Sequence, residues 1–167
     1  MKKIKNSLIK KKSNLKTNRS VQLKQPNLIK SILLVVNEKN KSIKQIVETQ
    51  FSTARVHLLY TRDVKIDSSE DFYISTHYSD FNLTGQLKND KLINLNKMSF
   101  ELLIDLSKNS NLLDFFIKRS TANLKVGAID SEKTKNYDLL VDAGTTNHEY
   151  IKNIYNHLIT LTENEQI

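Results

Sequence analysis

Between Ser31 and Asn40 the chain reads SILLVVNEKN, five apolar residues in succession closed by polar turn formers. An apolar run this short, ending in two valines, predicts a strand buried on both faces. Ile43, Ile46, Val47 and Phe51 then recur at helical spacing, and ARVHLLYT at 54–61 is a second apolar strand. Strand, helix and strand within about 30 residues make a βαβ unit, and so predict a parallel pair.

The pattern is weakest over 62–99. There DSSED at 67–71, Asp80, Gly85 and Asn89 scatter turn signals among short apolar pieces, and no element is assigned. It resumes with a strand at Phe100 to Asp105, a helix around Leu112, Leu113, Phe116 and Ile117, a strand in NLKVGAID at 123–130 and another at Tyr137 to Asp142. Ile151, Ile154, Tyr155, Leu158 and Ile159 then follow i, i+3, i+4, i+7, i+8, the stripe of a helix lying on a sheet. Alternating strands and helices predict one α/β domain over 31–167, Rossmann-like and three-layered, with a sheet that is mostly parallel or mixed.

The mixture arises at one connection. Ser131 to Tyr137 is shorter than the dozen residues of an ordinary parallel crossover, so a hairpin is the simpler expectation. Fully extended, such a segment spans roughly 23 Å at about 3.3 Å per residue, which keeps a parallel course open. The choice matters because FELLIDLSKN at 100–109 and YDLLVDAGTTN at 137–147 repeat one phrase. An antiparallel last strand would put Asp105 and Asp142 at opposite edges of the sheet.

Charge divides the chain further. Residues 1–30 hold ten basic residues and no acid, whereas 31–167 hold 16 basic and 18 acidic. The ten are Lys2, Lys3, Lys5, Lys10, Lys11, Lys12, Lys16, Arg19, Lys24 and Lys30. Residues 1–30 therefore read as a basic tail, disordered or weakly helical with Ile4, Leu8 and Leu15 on one face, and Pro26 marks its boundary. Lysines set against phosphates release condensed counterions, which makes RNA or a ribonucleoprotein the expected partner. An anionic membrane surface is the rival, and a solubilising extension the plain alternative. The tail has no aromatic residue, so stacking on bases is not indicated.

Other chemistries are narrowed by what the sequence lacks. Cysteine is absent, which removes disulfides, thiolate metal sites and thiol nucleophiles. The three glycines are isolated and build no phosphate-cradling loop. His57, His77, His148 and His157 show no metal-ligand spacing. No cofactor, metal or catalytic residue is expected, and without a secretion signal or apolar span the expected location is cytoplasmic. The candidate ligand-binding residues are Asp105, Ser107, Asn109 and Asp142. In open parallel sheets ligands bind beyond the carboxyl ends of the strands, where Asp105 would stand. Asp, Ser and Asn also start helices by accepting from free backbone N–H groups, which is the more economical account. For the second copy, Thr146 and Glu149 form a capping box and Gly144 supplies a turn.

SDFNLTGQLK, FELLIDL, STANLKVGAID and YDLLVD, in this order, resemble an uncharacterised family of short proteins from flavobacteria and related Bacteroidetes, over nearly the whole chain. The resemblance implies no activity. Residues 100–130 are also loosely similar to the amino-terminal half of heptosyltransferase-type glycosyltransferases, which implies a Rossmann-like half-domain and, lacking their second domain, not their reaction. Two readings follow: a non-catalytic module whose basic tail contacts RNA or another anionic surface, and a nucleotide or sugar-phosphate site or enzyme at the carboxyl edge of the sheet.

Overall fold

The computed structural model describes residues 7–9, 19–62, 72–108, 110–129 and 134–164. The first apolar run forms β1 (Ser31–Val35), and ARVHLLYT forms β2 (Arg55–Thr61). They are followed by β3 (Tyr73–Thr76), β4 (Leu102–Asp105), β5 (Leu124–Ala128) and β6 (Leu139–Val141). Besides the helical residues 7–9, the described helices are α1 (Lys41–Gln50), α2 (Asp90–Lys97), α3 (Asn111–Arg119) and α4 (Asn147–Asn164). The strands make one sheet in the order β3-β2-β1-β4-β5-β6, and every pairing is parallel.

Alternation along the strands separates two cores. Ile32 and Leu34 join Leu58, Ile104 and Val126 on the face covered by α1 and α4. Leu33 and Val35 join Leu59 and Leu103 on the face covered by α2 and α3, where Ile9 is fully buried. The chain builds outward from β1 to β3, then returns beside β1 as β4 and builds the other way. Crossovers of constant hand must change face when the direction reverses, which puts α1 opposite α2 and α3.

The hairpin expected across Ser131 to Tyr137 is overturned: β6 runs parallel to β5, with Val126 opposite Leu139 and Ala128 opposite Val141. A three-residue strand is only about 10 Å long, so the return path is short enough for a connection without an α-helix. Thr134–Asn136 form a 3-10 turn just before β6, and Tyr137 donates its backbone N–H to Thr134 O at 3.2 Å. The Tyr137 ring lies flat on Gly127, where a Cβ would sit 2.5 Å from Cε2 and 2.6 Å from Cγ. Asp138 then clips the start of β5, donating its N–H to Lys125 O at 2.9 Å and accepting the Lys125 N–H at 2.8 Å. One aromatic ring on a bare patch of sheet thus does what a crossover helix does elsewhere.

Residues 19–30 run along the amino edge of the sheet. Gln22 donates its N–H to Asn123 O at 3.2 Å, Pro26 is buried in a 3-10 turn, and Ile29 enters the core.

Candidate functional site

An all-parallel sheet puts Asp105 and Asp142 at the same, carboxyl, edge. β5 lies between their strands, two spacings of about 4.8 Å, and each carboxylate serves its own turn. Asp105, 5 % exposed, accepts the Ser107 N–H at 2.7 Å on Oδ1 and the Tyr137 hydroxyl on Oδ2. Asp142, exposed, accepts the Gly144 N–H at 2.9 Å, and its carbonyl accepts from Asn153 Nδ2 at 3.1 Å. Ser107 has a buried hydroxyl oxygen without a hydrogen-bond partner among the described residues, and Asn109 lies outside them. The structure therefore does not gather the three described candidates, Asp105, Ser107 and Asp142, into one constellation.

The crevice where strand order reverses, between β1 and β4, is the usual ligand position in such sheets. Here Asn37 bridges it. Its amide donates to Lys108 O at 2.8 Å and accepts the Lys108 N–H at 2.6 Å, while Asn37 O accepts from Thr61 N and Oγ1 at 3.1 and 2.6 Å.

At the start of α4, Thr146 Oγ1 accepts the Glu149 N–H at 3.1 Å, and Glu149 Oε2 accepts from both Thr145 N and Thr145 Oγ1 at 2.7 Å. The Thr145 hydroxyl and then its N–H hold the Glu149 carboxyl below the usual range. These residues are occupied in starting a helix.

The amino edge carries a different set of charges. Arg19 pairs with Asp138 and donates to Ala122 O at 3.0 Å. Lys24 Nζ lies 2.5 Å from Glu101 Oε1, and the Lys30 backbone N–H donates to Glu101 Oε2 at 2.5 Å, leaving the Lys30 side chain exposed. Burial alone would raise the Glu101 carboxyl, but Lys24 and the Lys30 N–H outweigh it and hold the group below its usual range. Behind this edge Lys125, 3 % exposed, donates to Ile117 O at 2.7 Å in the last turn of α3. Burial, then the Arg19 charge, push it down to about 8 against the pull of Asp138. Lys2, Lys3, Lys5, Lys10, Lys11, Lys12 and Lys16 lie outside the described residues.

Sequence reasoning passed over one buried charged cluster. Arg62, the residue after β2, donates to Ser75 O at 2.8 Å, to Ser75 Oγ at 3.0 Å and to Asp80 Oδ1 at 2.8 Å. Asp80 also accepts Asn89 Nδ2 at 3.1 Å and the His77 N–H at 2.7 Å. Of its residues, Asp80 and Asn89 had shown in the sequence only as turn signals and His77 only as a histidine without metal-ligand spacing.

DUF6913, a family of unknown function, matches residues 1–161. The chain belongs to this family. The match runs from the lysine-rich start through most of α4, so in this DUF6913 protein the basic segment and the sheet fall within one family unit. No curated protein and no solved structure matches the chain, which leaves the likeness to glycosyltransferases without support. Among the described residues no helix is long and apolar enough to cross a membrane, and no three His, Asp or Glu side chains gather as a metal site.

Proposed function

We propose that this DUF6913 protein is a non-catalytic binding module whose lysine-rich segment contacts RNA, alone or in a ribonucleoprotein. The observation that carries the reading is the partition of charge: ten basic residues and no acid in the first 30, on a body with 18 acids against 16 bases. Two features support it. Arg19 and Lys24 are engaged with Asp138 and Glu101, which secures the segment's end to the body and leaves Lys30 and the seven lysines from Lys2 to Lys16 as the anion-binding set. Asp105, the candidate best placed for chemistry, has both carboxylate oxygens engaged by Ser107 and Tyr137.

The test is made on the full chain, because Ile9 is fully buried and a deletion would open the core. Lys2, Lys3, Lys5, Lys10, Lys11, Lys12 and Lys16 are all changed to Gln, and binding to a labelled single-stranded RNA is followed by fluorescence anisotropy from low to high salt. If all seven engage phosphates, the slope of log K against log salt is about −5, at roughly 0.7 per contact, and the variant loses most of both slope and affinity. Equal affinity and slope for the two proteins would sink the proposal. Binding to phosphatidylserine vesicles without binding to RNA would also refute it, in favour of a membrane surface.

A further inference from the structure

Phe72 stands immediately before β3 with φ +65°, the only residue other than glycine in the left-handed region among the described residues. A bulky side chain adopts that conformation at a cost, and residues so held cluster at ligand clamps and active sites. Core packing does not account for this one, because Phe72 is 38 % exposed and every other aromatic among the described residues is more deeply buried. We propose that Phe72, with the Arg55 guanidinium beside it, is a platform on which a base of single-stranded RNA stacks. The inference rests on the RNA reading above and gives the body of the protein a part in it.

The platform is built from two strands. Arg55 opens β2, and the Leu58 N–H of the same strand donates to Phe72 O at 2.7 Å. Arg55 Cζ then lies 5.6 Å from the centroid of the Phe72 ring. His57 meets that ring edge to face, with centroids 5.1 Å apart, and also meets Phe100, 1 % exposed, at 5.3 Å. Phe72 is thus braced on the core through one imidazole before any ligand arrives, which lowers the ordering cost of binding.

Charge selects the occupant. Lys44 Nζ, 5.9 Å from the same centroid, is paired with Glu48, whereas Arg55 is exposed and meets no carboxylate among the described residues. The Arg55 N–H donates to Lys30 O at 2.8 Å, so the platform adjoins the end of the basic segment, where the Lys30 side chain is exposed. Every base offers a π face to an aromatic ring, and a guanidinium beside the ring adds attraction for the base and its phosphate. The basic segment holds no aromatic residue of its own, and the ring that stacking needs stands where that segment joins the sheet. A duplex keeps its base faces within its own stack, so such a platform favours single strands.

The experiment follows binding of the full chain to a labelled oligouridylate and to a duplex RNA of equal length by fluorescence anisotropy across a salt series, with amide shifts recorded for the unlabelled oligouridylate. Four proteins are compared: wild type, Phe72→Asn, which tolerates the left-handed conformation, Phe72→Tyr, which keeps the ring, and the protein with the seven lysines from Lys2 to Lys16 changed to Gln. The expected result is amide shifts at residues 55, 57 and 72–73 in wild type. Phe72→Asn should weaken single-strand binding about tenfold, within the range one stacked base contributes, with the salt slope and duplex binding unchanged, while Phe72→Tyr binds like wild type. The seven-lysine variant should lose the slope yet show the same shifts at low salt and high oligouridylate concentration, so the two proposals fail separately. No shifts at residues 55, 57 and 72–73, equal single-strand affinity in wild type and Phe72→Asn, an equal loss in Phe72→Tyr, or an equal loss on the duplex would each overturn the inference.

Discussion

If the Tyr137 ring closes the β5–β6 crossover, Gly127 must be glycine because of that ring. An alanine Cβ at 127 would stand 2.5 to 2.6 Å from two ring atoms, well inside van der Waals contact. The ring cannot simply slide away, since its hydroxyl is bound to Asp105, itself 5 % exposed, and the next residue is tied to Lys125. Overpacking of this kind costs about 1–3 kcal/mol. Losing the hydroxyl's bond to a carboxylate in Tyr137→Phe should cost about 1.5–3 kcal/mol. The decisive measurement is a double-mutant cycle by urea unfolding. Gly127→Ala should be costly in wild type and nearly free in a Tyr137→Ala background, a coupling of about 1–3 kcal/mol. Equal cost in both backgrounds, or a silent Tyr137→Phe, would refute the account and make Asp105 available again as a ligand-binding group.

Two predictions concern pH. Lys125 titrates at about 8 in the folded protein and 10.5 when exposed, so between these values the unfolded chain binds more protons and stability rises with pH. Lys125→Met should remove that rise from urea midpoints measured between pH 7.5 and 10, and an unchanged slope would contradict it. Glu101 is shifted downward, so its contribution is complete above the ordinary carboxylate range near pH 4.3 and is lost as pH falls through its lowered value. Glu101→Gln should therefore flatten the acid side of the stability profile; a profile parallel to wild type below pH 5 would show that the Lys24 and Lys30 contacts contribute nothing.

Much of the fold was legible because its signals are local. The run at Ile32 to Val36 has no polar residue to turn toward water, so it must be covered on both sides, and the stripe from Ile151 to Ile159 can satisfy only one surface. β3 and α2 were not legible. β3 has four residues, and what fastens the segment after it is the Arg62–Asp80 pair, which joins positions 18 apart and leaves no periodic trace. The candidate site was read less well than the fold. Asp, Ser, Asn and Thr near a strand end satisfy backbone N–H groups and bind ligands with the same atoms, and their spacing does not say which.

Composition and periodicity by themselves determined the class of fold, the two-faced core and the concentration of positive charge in the first 30 residues, because each depends on residue type summed along the chain. Only the tertiary structure decided the direction of β6, the task of Asp105 and the place of Arg62. Those depend on which atoms meet across the sheet: a Tyr137 ring over Gly127, a hydroxyl reaching a carboxylate 32 positions away, a guanidinium meeting Asp80. Such meetings follow from strand order and register, which are set by packing the whole chain at once.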